Sequence, residues 1–191
     1  MNFKNAAYRS VVIISIILLS LLVGYLCSII GHRVDIKKHP REFTEYVEKY
    51  CSEYGVPEYI VYSIILEESG FVSNKLSQDG EIGLMQIHPD TFRWLTSLTK
   101  ENLDSGILYD PETNIRYGTY MLSQLYIQHS RWKTVFSVYD AGRDTVDEWL
   151  LDEDCIDENG NLINIPDDST KEYVAKIEKE MEIYRELYYG E

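Results

Sequence analysis

The run Ile60-Val-Tyr-Ser-Ile-Ile-Leu-Glu-Glu68-Ser-Gly70-Phe-Val-Ser-Asn-Lys-Leu-Ser-Gln-Asp-Gly80-Glu-Ile-Gly83-Leu-Met-Gln86 changes character at its middle, from helical periodicity to a Gly- and Ser-punctuated crossing. With Ile60 at zero and about 100° per residue, Val61, Ile64 and Ile65 lie at about 100°, 40° and 140°. Glu68 falls at about 80°, in the middle of that aliphatic stripe, whereas Glu67 stands on its flank at about 340°. A carboxyl on the core-facing side of a helix is pushed toward its neutral form, the condition for donating a proton at neutral pH. The same spacing also fits a helix-terminal Glu that pairs with an Arg or reaches past the end of the stripe.

Working outward, apolar residues recur at three-to-four spacing near 42–54, 57–69, 88–98, 112–129, 132–150 and 170–188, with starts expected at Pro57, Asp90, Pro111 and Ser169-Thr170. Residues 72–87 read as an irregular crossing with turns at Asp79-Gly80 and near Gly83. Asn159-Gly160, flanked by apolar residues, predicts a small β-hairpin. The body is therefore expected to be mainly α, of the α+β class. Cys51 and Cys155 are its only thiols and are read as free and buried rather than as a framework.

The N-terminus differs from the body. All 32 acids lie beyond residue 30, while residues 1–30 hold only Lys4 and Arg9, and the chain's net charge is -14. Residues 11–30 are uncharged, long enough to cross a hydrocarbon core of about 30 Å, and lack a small-x-small cleavage site. The expected organisation is a short cytoplasmic N-terminus (1–10), one transmembrane anchor (11–30), a tether (31–41) and one domain (42–191). Cys27 is read as membrane-buried, with lipidation as the minor reading. The acidic surface, without an Arg/Lys stripe, argues against nucleic-acid binding. His32, His39, His88 and His129 are scattered and make no metal-ligand spacing, and the acidic stretch from Asp152 to Gly160 fails the EF-hand register, so neither metal nor cofactor is expected.

Glu68-Ser69-Gly70-Phe71 followed by Ser77-x-x-Gly80-x-x-Gly83-Leu84-Met85-Gln86-Ile87-x-Pro89-x-Thr91 resembles the signature of lytic transglycosylases with a goose-lysozyme-like (SLT) catalytic domain. The resemblance continues through Asp110-Pro111-Glu112-x-Asn114-Ile115-Arg116-x-Gly118-x-Tyr120-x-Leu122, Tyr139-Asp140-Ala141-Gly142 with Val146 and Trp149, and Ile165-Pro166 ahead of Thr170-x-Glu172-Tyr173-Val174. These blocks keep the family's order over about 140 residues. The resemblance implies a lysozyme-like helical fold, peptidoglycan glycan strands as substrate, and cleavage of the β-1,4 bond between N-acetylmuramic acid and N-acetylglucosamine to a 1,6-anhydromuramyl product. It places the domain at the extracytoplasmic side of a bacterial membrane.

The same resemblance makes Glu68 the catalytic acid/base and assigns substrate contacts to Ser69, Met85, Gln86, Tyr139, Asp140 and Tyr173. Met85 has a second reading as core filler, and Tyr139 as an ordinary packing aromatic. Asp140 stands where the family commonly has Asn, so a donor–acceptor amide becomes an acceptor-only carboxylate. Three outcomes follow from that exchange: reduced activity, retained activity shifted to lower pH, or hydrolysis with Asp140 as a second carboxylate. The rival functions are accordingly a muramidase and a weakly active glycan-binding envelope scaffold.

Overall fold

The computed structural model describes residues 3–190; the first two residues of the expected N-terminal segment 1–10 and Glu191 lie outside the described residues. Two compact units divide between Pro40 and Arg41. The first is one helix, α1 (Phe3–Lys38), of 36 residues. Within it Ile16–Lys38 has a mean hydropathy of 1.8 and no side chain buried against protein, which gives it the length and composition of a membrane span. The expected tether is thus mostly helix: residues 31–38 continue α1, and only the segment around Pro40 is irregular.

The second unit is helical. Its elements are α2 (Thr44–Tyr54), α3 (Glu58–Ser69), α4 (Pro89–Thr99), a short 3-10 turn Ser105–Tyr109, α5 (Pro111–His129), α6 (Trp132–Ala141), α7 (Arg143–Trp149) and α8 (Asp168–Tyr188). Helix α3 is buried on every side from Ile60 to Ile65, including Tyr62 and Ser63, so it forms the axis of the core rather than a one-faced surface helix. It packs on α8, where the rings of Tyr62 and Tyr184 stack with centroids 5.5 Å apart. Helix α8 also packs on α6, α6 on α5, and α5 on α2, which closes the body around Ile64, Ile115, Val135 and Ile177.

The periodic pattern over 132–150 is two helices, not one. Gly142 adopts φ 83°, ψ 160°, which L-residues rarely reach, and breaks the chain between α6 and α7. Val146 is still buried after the break, so the apolar period continues through it. Residues just ahead of three helices satisfy the first turn with a side chain. His88 Nδ1 accepts from Asp90 N, Asp110 Oδ2 from Thr113 N, and Asp167 Oδ1 from Thr170 N.

The small hairpin is a single antiparallel bridge, Ile156 with Leu162, turned by Gly160 and held by Asp157, whose Oδ1 accepts from the N–H groups of Asn159 and Asn161. A second β element occupies the crossing: Ile82 bridges both Leu76 and Ile87. Cys51 and Cys155 are free and buried, and burial pushes the Cys51 thiol up to about 12.

Candidate active site

Helix α3 ends at Ser69 because Gly70 takes a left-handed φ of 57° and closes the last turn on Leu66 O. Glu68 therefore projects from the final turn of the central helix, at the point where the chain leaves the core. Its carboxyl faces a cavity of about 230 Å3 lined by Glu67, Glu68, Lys75, Ser77, Glu81, Gln86, Tyr139, Asp140 and Tyr173. Tyr173, on α8, donates its phenolic hydrogen to Glu68 Oε1 at 2.6 Å. Lys75 Nζ donates to the main-chain carbonyl of Glu68 and fixes the turn that bears it.

Glu68 keeps some surface open to the cavity, but protein surrounds most of its carboxyl, and this burial is the main reason that its pKa rises from 4.5 to about 7. The Tyr173 hydrogen bond opposes the rise, the carboxylates of Glu81 and Asp140 add to it, and the Lys75 ammonium opposes it. The balance leaves a carboxyl that exchanges its proton near neutrality. Burial, reinforced by the Glu68 charge, holds the Tyr173 and Tyr139 phenols well above 10, so both stay protonated donors. Glu67 stands at the edge of the same cavity and pairs with Lys176 at 3.4 Å.

Behind the cavity, the crossing is pinned by a fully buried amide. Asn114 Oδ1 accepts from Met85 N at 2.7 Å, and its Nδ2 donates to Ile82 O and Leu108 O, each at 2.8 Å. Gly83, at φ 84°, passes so close to Asn114 Nδ2 and Leu108 O that a Cβ would collide with both. Tyr139, on α6, adds a fourth tie by donating to Met85 O at 2.6 Å. These bonds set the depth at which Gln86 meets the cavity.

Glu68, Gln86, Tyr139, Asp140 and Tyr173 line one cavity, and two expectations are corrected. Met85 is fully buried, its side chain packed so closely on α5 that a Cβ at Gly118 would strike its sulfur; only its main chain serves the site. Ser69 is buried and spends its hydroxyl on Ile65 O, one turn back at 3.1 Å, so it does not face the cavity. Glu81 and Lys75 were not anticipated. Both lie in the aperiodic crossing, and only its fold brings them to Glu68.

A larger cavity of about 580 Å3 lies alongside. It is lined by apolar Trp94, Met121, Leu125 and Val138, and it shares Glu81, Tyr139 and Asp140 with the first. Glu68 lines only the smaller space; the residues common to both join them into one elongated groove with the Glu68 carboxyl at one part. Among the described residues, no group of three or more His, Cys, Asp or Glu is placed to hold a metal ion.

The transglycosylase SLT domain family matches residues 45–159. The chain is 30% identical over 146 residues to a soluble lytic murein transglycosylase of Escherichia coli K12, covering 74% of this chain and 22% of that protein. It is 29% identical over 122 residues to the membrane-bound lytic murein transglycosylase C of Edwardsiella ictaluri, covering 58% and 34%. Among solved structures, the 70-kDa soluble lytic transglycosylase of E. coli superposes with a TM-score of 0.72 at 28% identity, over 80% of this chain and 25% of that one. An inactive Glu-to-Gln mutant of the lytic transglycosylase Slt from Pseudomonas aeruginosa gives 0.70 at 27%, over 78% and 24%. The chain thus spans about a quarter or less of these soluble relatives.

Proposed function

The chain belongs to the transglycosylase SLT domain family, and from that premise we propose that it is a peptidoglycan lytic transglycosylase in which Glu68 is the single acid/base. The observation that carries the reading is the Glu68 carboxyl itself: enclosed, hydrogen-bonded by Tyr173, poised at about 7, and open to a groove. A pKa near the working pH suits a group that must give a proton and then take one.

In the first step Glu68 protonates the glycosidic oxygen between N-acetylmuramic acid and N-acetylglucosamine, and the C1–O bond breaks. The substrate's acetamido group stabilises the cationic centre, so no nucleophilic carboxylate is required. Glu68, now ionised and held by the Tyr173 hydroxyl, takes the proton of the muramyl 6-hydroxyl as that oxygen closes on C1. The 1,6-anhydro ring forms and Glu68 is again protonated. Tyr139, by fixing Met85 O, keeps Gln86 and the groove wall at the depth this geometry needs. Helix α1 suits a membrane anchor, and the substrate then places the catalytic unit on the extracytoplasmic side.

The test is digestion of purified peptidoglycan by the detergent-solubilised full chain, with products read by mass spectrometry. Wild type is expected to release anhydromuropeptides and Glu68→Gln to release none. Equal release by both proteins overturns the assignment.

A further inference from the structure

Transglycosylation by one carboxyl leaves two features of the Glu68 cavity unused. The first is Glu81. Its N–H donates to Ser77 Oγ at 3.0 Å and its carbonyl accepts from Ser77 N at 2.9 Å, so the residue is pinned from both sides in the turned crossing. It is half-buried and stands where the two cavities meet. The second is Gln86, which is 5% exposed and lines the same cavity. Its Nε2 donates to Gly83 O at 2.7 Å, while its Oε1 is buried without a hydrogen-bond partner. A buried acceptor left in this state needs a donor. Gln86 also adopts a left-handed φ of 46°, a strained conformation for a residue with a side chain, and such strain gathers at functional sites.

We propose that Glu81 is a second catalytic carboxylate, which activates a water molecule in the cavity that it shares with Glu68 and Gln86, so that a share of turnovers ends in hydrolysis instead of ring closure. The proposal rests on Glu68 acting as the acid. Two-carboxylate glycosidases work in this way: one acid protonates the leaving oxygen while a second takes a proton from the attacking water. Here Glu68 gives its proton to the glycosidic oxygen and the C1–O bond breaks. The water oxygen bonds to C1, one of its hydrogens passes to Glu81, and the other stays on that oxygen as the new C1 hydroxyl of a reducing-end N-acetylmuramic acid. Glu81 then loses its proton to solvent and Glu68 regains one, so the cycle balances without a co-reactant. Asp140 is the poorer candidate because it is exposed at the rim, whereas Glu81 is anchored and partly shielded from bulk water.

The experiment is digestion of peptidoglycan by the full chain in detergent and 18O-enriched water, with borohydride added as products form to trap new reducing ends. The readout is the ratio of 18O-bearing reducing-end to anhydro products. Wild type is expected to give both, and Glu81→Gln to lower the ratio by roughly 10²-fold, the low end for loss of a positioned base. Glu81→Asp is expected to retain part of the reducing-end product. Wild type yielding anhydro product alone overturns the proposal without any variant, and so does a Glu81→Gln protein in which both products fall together. Failure of the underlying reading looks different: Glu68→Gln would then still cleave.

Discussion

Replacing Tyr173 by Phe removes the hydrogen bond that Glu68 Oε1 accepts from its hydroxyl at 2.6 Å. That bond favours the ionised carboxyl, so its loss must raise the pKa further above about 7. A hydrogen bond to a charged group is worth about 1.5–3 kcal/mol, and each pKa unit corresponds to about 1.36 kcal/mol, which gives roughly one to two pH units. Glu68 is partly open to the cavity, so water replaces some of the lost donor and the lower figure is the better expectation. As the acid of the first step, Glu68 must be protonated in the free enzyme, so kcat/KM falls as pH rises through its pKa. Wild type is therefore expected to lose activity near pH 7, and Tyr173→Phe about one pH unit higher. The assay is the initial rate of anhydromuropeptide release at sub-saturating peptidoglycan from pH 5 to 9. The position of the alkaline limb is the readout, because a merely structural role for Tyr173 lowers the plateau without moving it. A limb that stays in place, or moves to lower pH, refutes the electrostatic account of this site.

Asp140→Asn removes a carboxylate that raises the Glu68 pKa, so the alkaline limb moves to lower pH; an unchanged pH profile and product spectrum removes any special role for that position. Glu68→Gln is expected to stabilise the protein at pH 8. A carboxyl whose pKa rises from 4.5 to about 7 on folding binds more protons folded than unfolded, so stability falls between those values as pH rises, by on the order of 2 kcal/mol after allowance for exposure. A melting temperature for the variant equal to wild type at pH 8, or a gap no larger than at pH 4, contradicts that sign. Asn114→Ala removes three buried hydrogen bonds, worth about 3 kcal/mol or more with their orphaned partners, and is expected to lower Tm by roughly 10 °C in thermal denaturation.

The helical body was legible because its cores are periodic. Ile60, Val61, Ile64 and Ile65 mark α3, and the same geometry puts Glu68 among buried neighbours. What periodicity could not show was the full burial of α3: Tyr62 and Ser63 lie off the stripe yet are buried, because α8 covers the side that a one-faced reading leaves to solvent. It also misses the break at Gly142, since Val146 keeps the apolar phase on the far side. In the site, Tyr173 and Tyr139 were reachable only through the family pattern, as each comes to the Glu68 cavity from a distant stretch of chain. Glu81, Lys75 and the inward turn of Met85 belong to a crossing with no period at all. There, direction is set by Gly83 and by the Asn114 amide, and neither effect is local in sequence.

The two solitary thiols of the catalytic unit have a bearing on what holds it together. Cys51 and Cys155 are each shut inside the fold, and Cys51 is held in its unreactive protonated form. The unit has no bridge to form, none to isomerise and none to lose to a reductant. The cohesion of the unit therefore rests on its apolar core and not on a cross-link, and a reductant is expected to leave its melting temperature unchanged.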